Sequence, residues 1–163
     1  MTQMRLNHYP FQPAEHRKAA YASASHCDYG MFTVLAPDPS GGLEVRTREG
    51  EWVAVPHHDG ALLVNIGDML SRWTNDHYVS TPHRVANTET SRRGRLSIAV
   101  FFHLDADTPV GGDLYATGGA PKYETVRYLD ELVRKFEGNR MEVGAQANPS
   151  DPSHGAANGA ARL

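Results

Sequence analysis

The run Arg95-Leu96-Ser97-Ile98-Ala99-Val100-Phe101-Phe102-His103 decides what kind of chain this is. Its period is two: Arg95, Ser97, Ala99, Phe101 and His103 share one side of an extended strand, and Leu96, Ile98, Val100 and Phe102 share the other. Apolar residues on both sides predict a strand buried on both faces. Similar short runs lie around it, at 4–9, 31–35, 43–46, 51–55, 61–66 and 83–87. Turn-forming strings separate them: Pro37-Asp38-Pro39-Ser40-Gly41-Gly42, Glu49-Gly50, Asp59-Gly60, Asn75-Asp76 and Arg93-Gly94. Many short strands at such spacing predict a sandwich or barrel. Helical spacing appears at 13–21 and 122–136; in the second, Val126, Leu129, Val133 and Phe136 form one stripe that would pack a helix on the outside of the β-structure. From Gly138 onward the chain turns to Ala, Gly, Asn, Ser and Pro with no aromatic residue, so 138–163 reads as a disordered tail. The expectation is an all-β domain over residues 3–137 with flanking helices.

Composition narrows the function. The chain has 163 residues, 16 basic and 19 acidic, for a net charge of −3. One domain of that size can bury a substantial core. A slightly acidic chain carries no electrostatic footprint for nucleic acid. No apolar run approaches the ~18–20 residues that span a bilayer, so no membrane partner is expected. Met1-Thr2-Gln3-Met4-Arg5 holds no apolar stretch suited to a signal peptide. Cys27 is the sole cysteine and cannot form an internal disulfide, which suits a reducing cytoplasm. Histidine stands out, with nine residues; it binds metals and moves protons.

A His-x-Asp pair on a strand sets an imidazole and a carboxylate on one face, about 7 Å of backbone apart. With one distant His, the three can cap one face of a metal ion and leave positions open for O₂ and a cosubstrate, the arrangement of non-haem Fe(II) oxygenases. Chance alone gives ~0.55 such pairs in a chain of this composition, and three occur: His26-Cys27-Asp28, His57-His58-Asp59 and His103-Leu104-Asp105. His57 and Asp59 lie between Pro56 and Gly60, where a solvated hairpin tip explains them. After His103 and Asp105 the only histidine is His154, in the expected tail. His26 and Asp28 are followed by His83 opening a strand, and then by Arg95-x-Ser97 on the next, a same-face fork suited to a distal carboxylate.

On these strings the sequence resembles the C-terminal catalytic domain of the Fe(II)/2-oxoglutarate-dependent dioxygenases, in the isopenicillin N synthase-like branch. The matching strings include Asn7-His8-Tyr9-Pro10, His26-Cys27-Asp28-Tyr29-Gly30, Gly41-Gly42-Leu43-Glu44-Val45 and Val64-Asn65-Ile66-Gly67-Asp68-Met69. They continue with Arg72-Trp73-Thr74-Asn75-Asp76, Ser80-Thr81-Pro82-His83-Arg84-Val85-Ala86-Asn87, Arg95-Leu96-Ser97 and Phe101-Phe102-His103, collinear over residues 3–105. The resemblance implies a double-stranded β-helix, or jelly roll, with iron held by His26, Asp28 and His83. It implies that Arg95 and Ser97 bind the C5 carboxylate of 2-oxoglutarate, with Asn7 and Tyr9 helping to hold the same cosubstrate. The implied reaction couples O₂-dependent decarboxylation of 2-oxoglutarate to succinate and CO₂ with hydroxylation, desaturation or cyclisation of a small organic substrate. An arginine fork also accounts for the choice of a dicarboxylate over a monocarboxylate.

Two features depart from the family pattern. The twelve residues from His83 to Arg95 exceed the usual spacing, at which Arg93 stands instead, but with Arg95 rather than Ser at its +2 position. Reading Ser91-Arg92-Arg93-Gly94 as a lengthened hairpin turn keeps Arg95, with Arg93 as the alternative. Relatives also carry an N-terminal region that packs on the barrel and shapes the substrate pocket, whereas Met1 here stands just before the Asn7/Tyr9 strand; association through the face left bare is expected. Among single residues, Asp68 reads as a turn-former, Trp73 and Thr74 as packing, Cys27 as a small buried hydrophobe, and Arg84 as a surface or ion-pairing residue. His8, His57, His58, His77 and His103 read as non-ligands. Competing functions are an iron oxidase of the same branch that dispenses with 2-oxoglutarate, a non-catalytic jelly-roll remnant, and a zinc hydrolase. The last leaves Arg95-x-Ser97 without a role and has no obvious general base.

Overall fold

The computed structural model describes residues 1–11, 13, 21–86, 94–112 and 120–146. In chain order the elements are β1 (Thr2–Tyr9), β2 (Tyr21–His26), β3 (Phe32–Ala36), β4 (Leu43–Arg46), β5 (Trp52–Ala54), β6 (Leu63–Ile66), α1 (Asp68–Trp73), β7 (His83–Ala86), β8 (Arg95–Phe102), β9 (Pro109–Val110), β10 (Val126–Arg127) and α2 (Tyr128–Gln146). Eight strands form two four-stranded antiparallel sheets, ordered β1-β8-β3-β6 and β2-β7-β4-β5, and β9 pairs with β10 in a short ribbon. The inner faces of the two sheets enclose one cavity. Two facing four-stranded antiparallel sheets are the architecture of a jelly roll, as expected.

The expected strands form within a residue or two of their sequence limits because alternation and turn chemistry agree. Asn75 and Asp76 adopt φ of 53° and 64°, and Gly94, just before β8, has φ of 80°. Such backbone is open to Gly and tolerated by Asn and Asp. β2 lacks a sequence signal. Tyr21-Ala22-Ser23-Ala24-Ser25-His26 is mostly small and polar, because β2 is an edge strand with little buried side-chain surface. Tyr21, the last residue of the helix expected at 13–21, belongs to this strand; residues 14–20 lie outside the described residues.

β8 corrects the expectation of burial on both faces. Arg95, Ser97 and Ala99 are the buried positions, and Leu96 on the other side is 46% exposed. Its polar-bearing side faces the cavity and its aliphatic side faces outward. That outer side continues across the sheet as a row in register, Met4 opposite Val100, Val100 opposite Val34 and Val34 opposite Val64. The outer side of the second sheet is different in kind. There the Arg84 guanidinium lies 4.4 Å from the Tyr21 ring centroid and 4.1 Å from that of Trp52, and its Nε donates to Glu44 at 2.6 Å. The expected ion-pairing role of Arg84 holds, with two cation–π contacts added.

Two apolar clusters hold the layers. Leu35, Leu43, Val85 and Ala99 close the space between the sheets, while Met31, Met69, Val110 and Tyr128 tie α1, the β9–β10 ribbon and α2 to one end, with Trp73 packed against them. α2 begins at Tyr128 rather than 122 and continues through Gln146, past the composition change at Gly138; residues 147–163 lie outside the described residues. Its buried side is also not the expected stripe, since Phe136 is 55% exposed and Tyr128 and Glu131 are buried. Ion pairs permit this: Arg134 and Arg72 flank Glu131, and Lys135 reaches Asp68 on α1 at 2.7 Å. A charged residue can face inward when its partner is there to meet it. Among the described residues, no helix is long and apolar enough to cross a membrane.

The segment from Asp28 to Met31 is strapped to the start of α1 by three backbone bonds: Asp68 N–H to the Asp28 carbonyl at 2.8 Å, Met69 N–H to Gly30 at 3.1 Å, and Gly67 N–H to Met31 at 2.9 Å. Gly67 is required by this approach, because a Cβ there would stand 2.3 Å from the Gly30 oxygen and 3.0 Å from the Asp28 oxygen. The obstacle is backbone and cannot rotate away. Gly67→Ala is therefore expected to destabilise the fold by at least about 1–3 kcal/mol, measured by urea denaturation; a change within error would mean that the strap yields freely.

Candidate metal centre

Strand register builds the site. His26 at the end of β2 and His83 at the start of β7 are direct cross-strand partners, with ring centroids 4.4 Å apart. Each ring is turned the same way by its own backbone. His26 Nδ1 meets the Ala24 carbonyl at 2.8 Å and His83 Nδ1 meets the Thr81 carbonyl at 3.1 Å. A carbonyl only accepts, so each Nδ1 is the donor, which leaves Nε2 as the nitrogen on offer to a metal. Burial, the largest effect, lowers the His83 pKa below its ordinary value, with the neighbouring His26 acting in the same direction. His83 is therefore neutral at neutral pH.

Asp28 lies two residues beyond the end of β2 rather than on the strand itself. It is 8% exposed, and a carboxylate so buried depends on hydrogen-bond donors. Oδ2 has two, Thr33 Oγ1 and, at 2.7 Å, Asn65 Nδ2. Thr33 and Asn65 are themselves cross-strand partners on β3 and β6. With Oδ2 occupied, Oδ1 is turned toward His83, 3.7 Å from its Nε2. One donor atom from each of His26, Asp28 and His83 lies within 4.8 Å of the others, the one such group among the described residues. Two imidazoles and a carboxylate form a donor set for a divalent transition metal that leaves one side open.

The pairing of β1 with β8 builds the other end of the cavity. Tyr9 stands opposite Arg95 and Asn7 opposite Ser97, and all four line the cavity. Arg95 is 4% exposed. Its Nε donates to the Gly41 carbonyl at 3.0 Å and its guanidinium carbon lies 5.3 Å from the Tyr9 ring centroid, but Nη1 is buried with no partner among the described residues. Burial lowers its pKa, against the raising effects of Tyr9 and Asp38; arginine stays charged regardless. A buried cation with an unused N–H is costly alone and offers a fork for a carboxylate. Arg93, the alternative, lies outside the described residues.

The remaining sequence expectations are also placed. Asp68 opens α1 and pairs with Lys135, and Trp73 and Thr74 pack away from the cavity. Cys27 is half-buried and outside the cavity lining, with its thiol pKa raised chiefly by burial. His57 pairs with Asp59 at a turn, and His103 bonds the Tyr128 hydroxyl, whose pKa burial pushes up to about 12. Thr33 and Asn65 were not singled out from the sequence. The available signal was a polar residue at an inward position of an otherwise apolar strand. Asn65→Leu should free Asp28 to rotate and weaken divalent-metal binding by about 10–100-fold while leaving the Arg95 end intact. A Mn(II) titration followed by electron paramagnetic resonance measures this; unchanged affinity would remove Asn65 from the site's support.

Comparison with known proteins agrees with this geometry. Residues 2–104 match the family model described as the 2OG-Fe(II) oxygenase superfamily. The chain is 37% identical over 149 residues to the 2-oxoglutarate-Fe(II) type oxidoreductase ppzC of Metarhizium majus, covering 86% of this chain and 39% of that protein. It is 39% identical over 137 residues to the homoarginine-6-hydroxylase 2-ODD-233 of Oryza sativa subsp. japonica, covering 80% of this chain and 41% of that protein. Among solved structures, a full-length Neurospora crassa protein in complex with alpha-KG superposes with a TM-score of 0.76 at 31% identity, covering 83% of this chain and 44% of that one. The chain thus spans about two fifths of the length of these relatives. With the register-built triad and the collinear match in hand, the chain belongs to the 2OG-Fe(II) oxygenase superfamily.

Proposed function

We propose that residues 3–137 form the catalytic unit of an Fe(II)- and 2-oxoglutarate-dependent oxygenase. It couples decarboxylation of 2-oxoglutarate to succinate and CO₂ with hydroxylation, desaturation or cyclisation of a small organic substrate. The observation that carries this reading is the placing of a buried, incompletely partnered arginine, Arg95, in the same cavity as the His26–Asp28–His83 group. A non-catalytic remnant leaves this pairing without a role, whereas an oxidase of the same branch that dispenses with 2-oxoglutarate can keep Arg95 and Ser97, and formation of succinate separates it from the present reading. When bound, Fe(II) and 2-oxoglutarate supply the O₂ activation and two of the electrons that it needs. Among the protein's own groups, His26 and His83 would offer Nε2 lone pairs fixed by the Ala24 and Thr81 carbonyls, and Asp28 the Oδ1 left free by Thr33 and Asn65. Arg95 and Ser97 would take the distal carboxylate, and Asn7 and Tyr9, directly opposite, would hold the cosubstrate in line. The relatives support a small substrate, since the Neurospora crassa protein has also been solved with alpha-KG and thymine. A cytoplasmic setting fits the lone thiol of Cys27.

Anaerobic addition of Fe(II) and 2-oxoglutarate is expected to give a visible charge-transfer band, and admission of O₂ to give succinate, with neither from His83→Ala. A wild type indistinguishable from His83→Ala would sink the reading. Arg95→Met should weaken 2-oxoglutarate by about 2–5 kcal/mol, thirtyfold or more. It should leave metal affinity unchanged.

The exposed row of Met4 and Val64, with Leu6 and Leu96 beside it, supports a partner on the outer side of the first sheet, where Leu6 is 60% exposed. Further polypeptide, of this chain or another, would cover that side. Light scattering of the chain alone should show association that rises with concentration and is abolished in Leu6→Glu/Leu96→Glu. A monomer at high concentration would count against it.

A further inference from the structure

We propose that Arg5 is a specificity residue that reads a carboxylate on the substrate; this rests on the oxygenase reading above and adds the substrate's chemical class. Arg5 belongs to the inward side of β1, with Asn7 and Tyr9, and lines the same cavity. Yet it is exposed, because β1 is the edge strand of its sheet. A side chain that lines a cavity and still meets solvent stands at its mouth.

Register fixes its level. Along the inner side of β8, Arg95 and Ser97 make the carboxylate-binding end, and Phe101 is opposite Thr33, which bonds Asp28. Arg5 is opposite Ala99, between those two levels. It also starts four residues, about 13 Å of strand, from Tyr9, the residue that faces Arg95. The two arginines thus serve different parts of the cavity. The Arg5 guanidinium carbon lies 5.5 Å from the Phe101 ring centroid. A guanidinium drawn to an aromatic ring by cation–π attraction needs no acceptor there, so its N–H groups remain available to an anion.

Arg5 has no anionic partner among the described residues. Arg72, Arg84, Arg127 and Arg134 each pair with a carboxylate, and Arg5 does not. Among the described residues lining the cavity the one acid is Asp28, which is committed to Thr33, Asn65 and the metal group. Charge balance leads to the same conclusion. The two charges of a divalent metal offset those of 2-oxoglutarate, and Arg95 offsets Asp28. Arg5 is then the positive charge left over at the mouth, where a low-dielectric wall strengthens its field. A substrate carrying a single negative charge completes the set.

The test uses the full chain loaded with Mn(II) and saturating 2-oxoglutarate, titrated calorimetrically with matched probes, phenylacetate against phenylacetamide and hexanoate against hexanamide. At least one carboxylate is expected to bind tenfold or more tightly than its amide. In Arg5→Gln the two should converge within twofold, and Arg5→Lys should keep part of the preference. Mn(II) and 2-oxoglutarate affinities should stay within twofold of wild type in both variants. Amides that bind as well as carboxylates, or a preference that survives in Arg5→Gln, would overturn the proposal. Loss of 2-oxoglutarate affinity in Arg5→Gln would also overturn it, by assigning Arg5 to the cosubstrate. A wild-type chain that takes up neither Mn(II) nor 2-oxoglutarate would overturn the oxygenase reading and this one with it, and the first titration reports that separately.

Discussion

The site depends on one buried carboxylate and what holds it in place. Asp28 is withdrawn from water between two sheets, where an ion without donors would be too costly to hold. Thr33 and Asn65 satisfy one of its oxygens, and because they are register partners on β3 and β6 their spacing is set by the sheet. From the other side, the backbone of residues 28–31 is strapped to α1 through contacts that only Gly67 permits. The free oxygen is left facing His83. The sheet pairing, the helix start and the glycine therefore all act on the direction of one carboxylate oxygen.

The rest of the site repeats the same device. His26 with His83, Asn7 with Ser97 and Tyr9 with Arg95 are each direct cross-strand partners. In an antiparallel pair such residues are held a few ångströms apart on one face, so a functional group placed by register needs little further support. A slip of one residue would turn the groups contributed by that strand away from the cavity. Sites of this kind are as rigid as the sheets that carry them.

The two sheets present unlike outer sides. On one, Arg84 is held between Tyr21 and Trp52 and paired with Glu44, so a polar group has ended its search for partners. On the other, Met4, Val100, Val34 and Val64 line up across four strands with nothing among the described residues over Met4 or Val64. A sheet with one side on the cavity and an aliphatic outer side has the pattern of a middle layer. This explains how the alternation in 95–103 predicted burial on both faces and yet only one is buried.

The sequence by itself determined most of the strands and the turns. Period-two alternation and the Gly and Asn-Asp turns are local patterns legible from residue order, while three His-x-Asp pairs left the choice of His26, Asp28 and His83 as candidate ligands to their order and spacing and to the family resemblance. The sequence could not show β2, whose small residues reflect an edge position. Nor could it show which side of α2 is buried, because Glu131 faces inward on account of Arg72 and Arg134, and Arg72 lies on another element. Only the tertiary structure brought Thr33 and Asn65 to Asp28, left Arg95 Nη1 without a partner among the described residues, and set Arg5 at the mouth of the same cavity. Those facts concern distances between strands far apart in the chain, and hydrogen bonding and desolvation are decided by distance in space, which residue order does not contain.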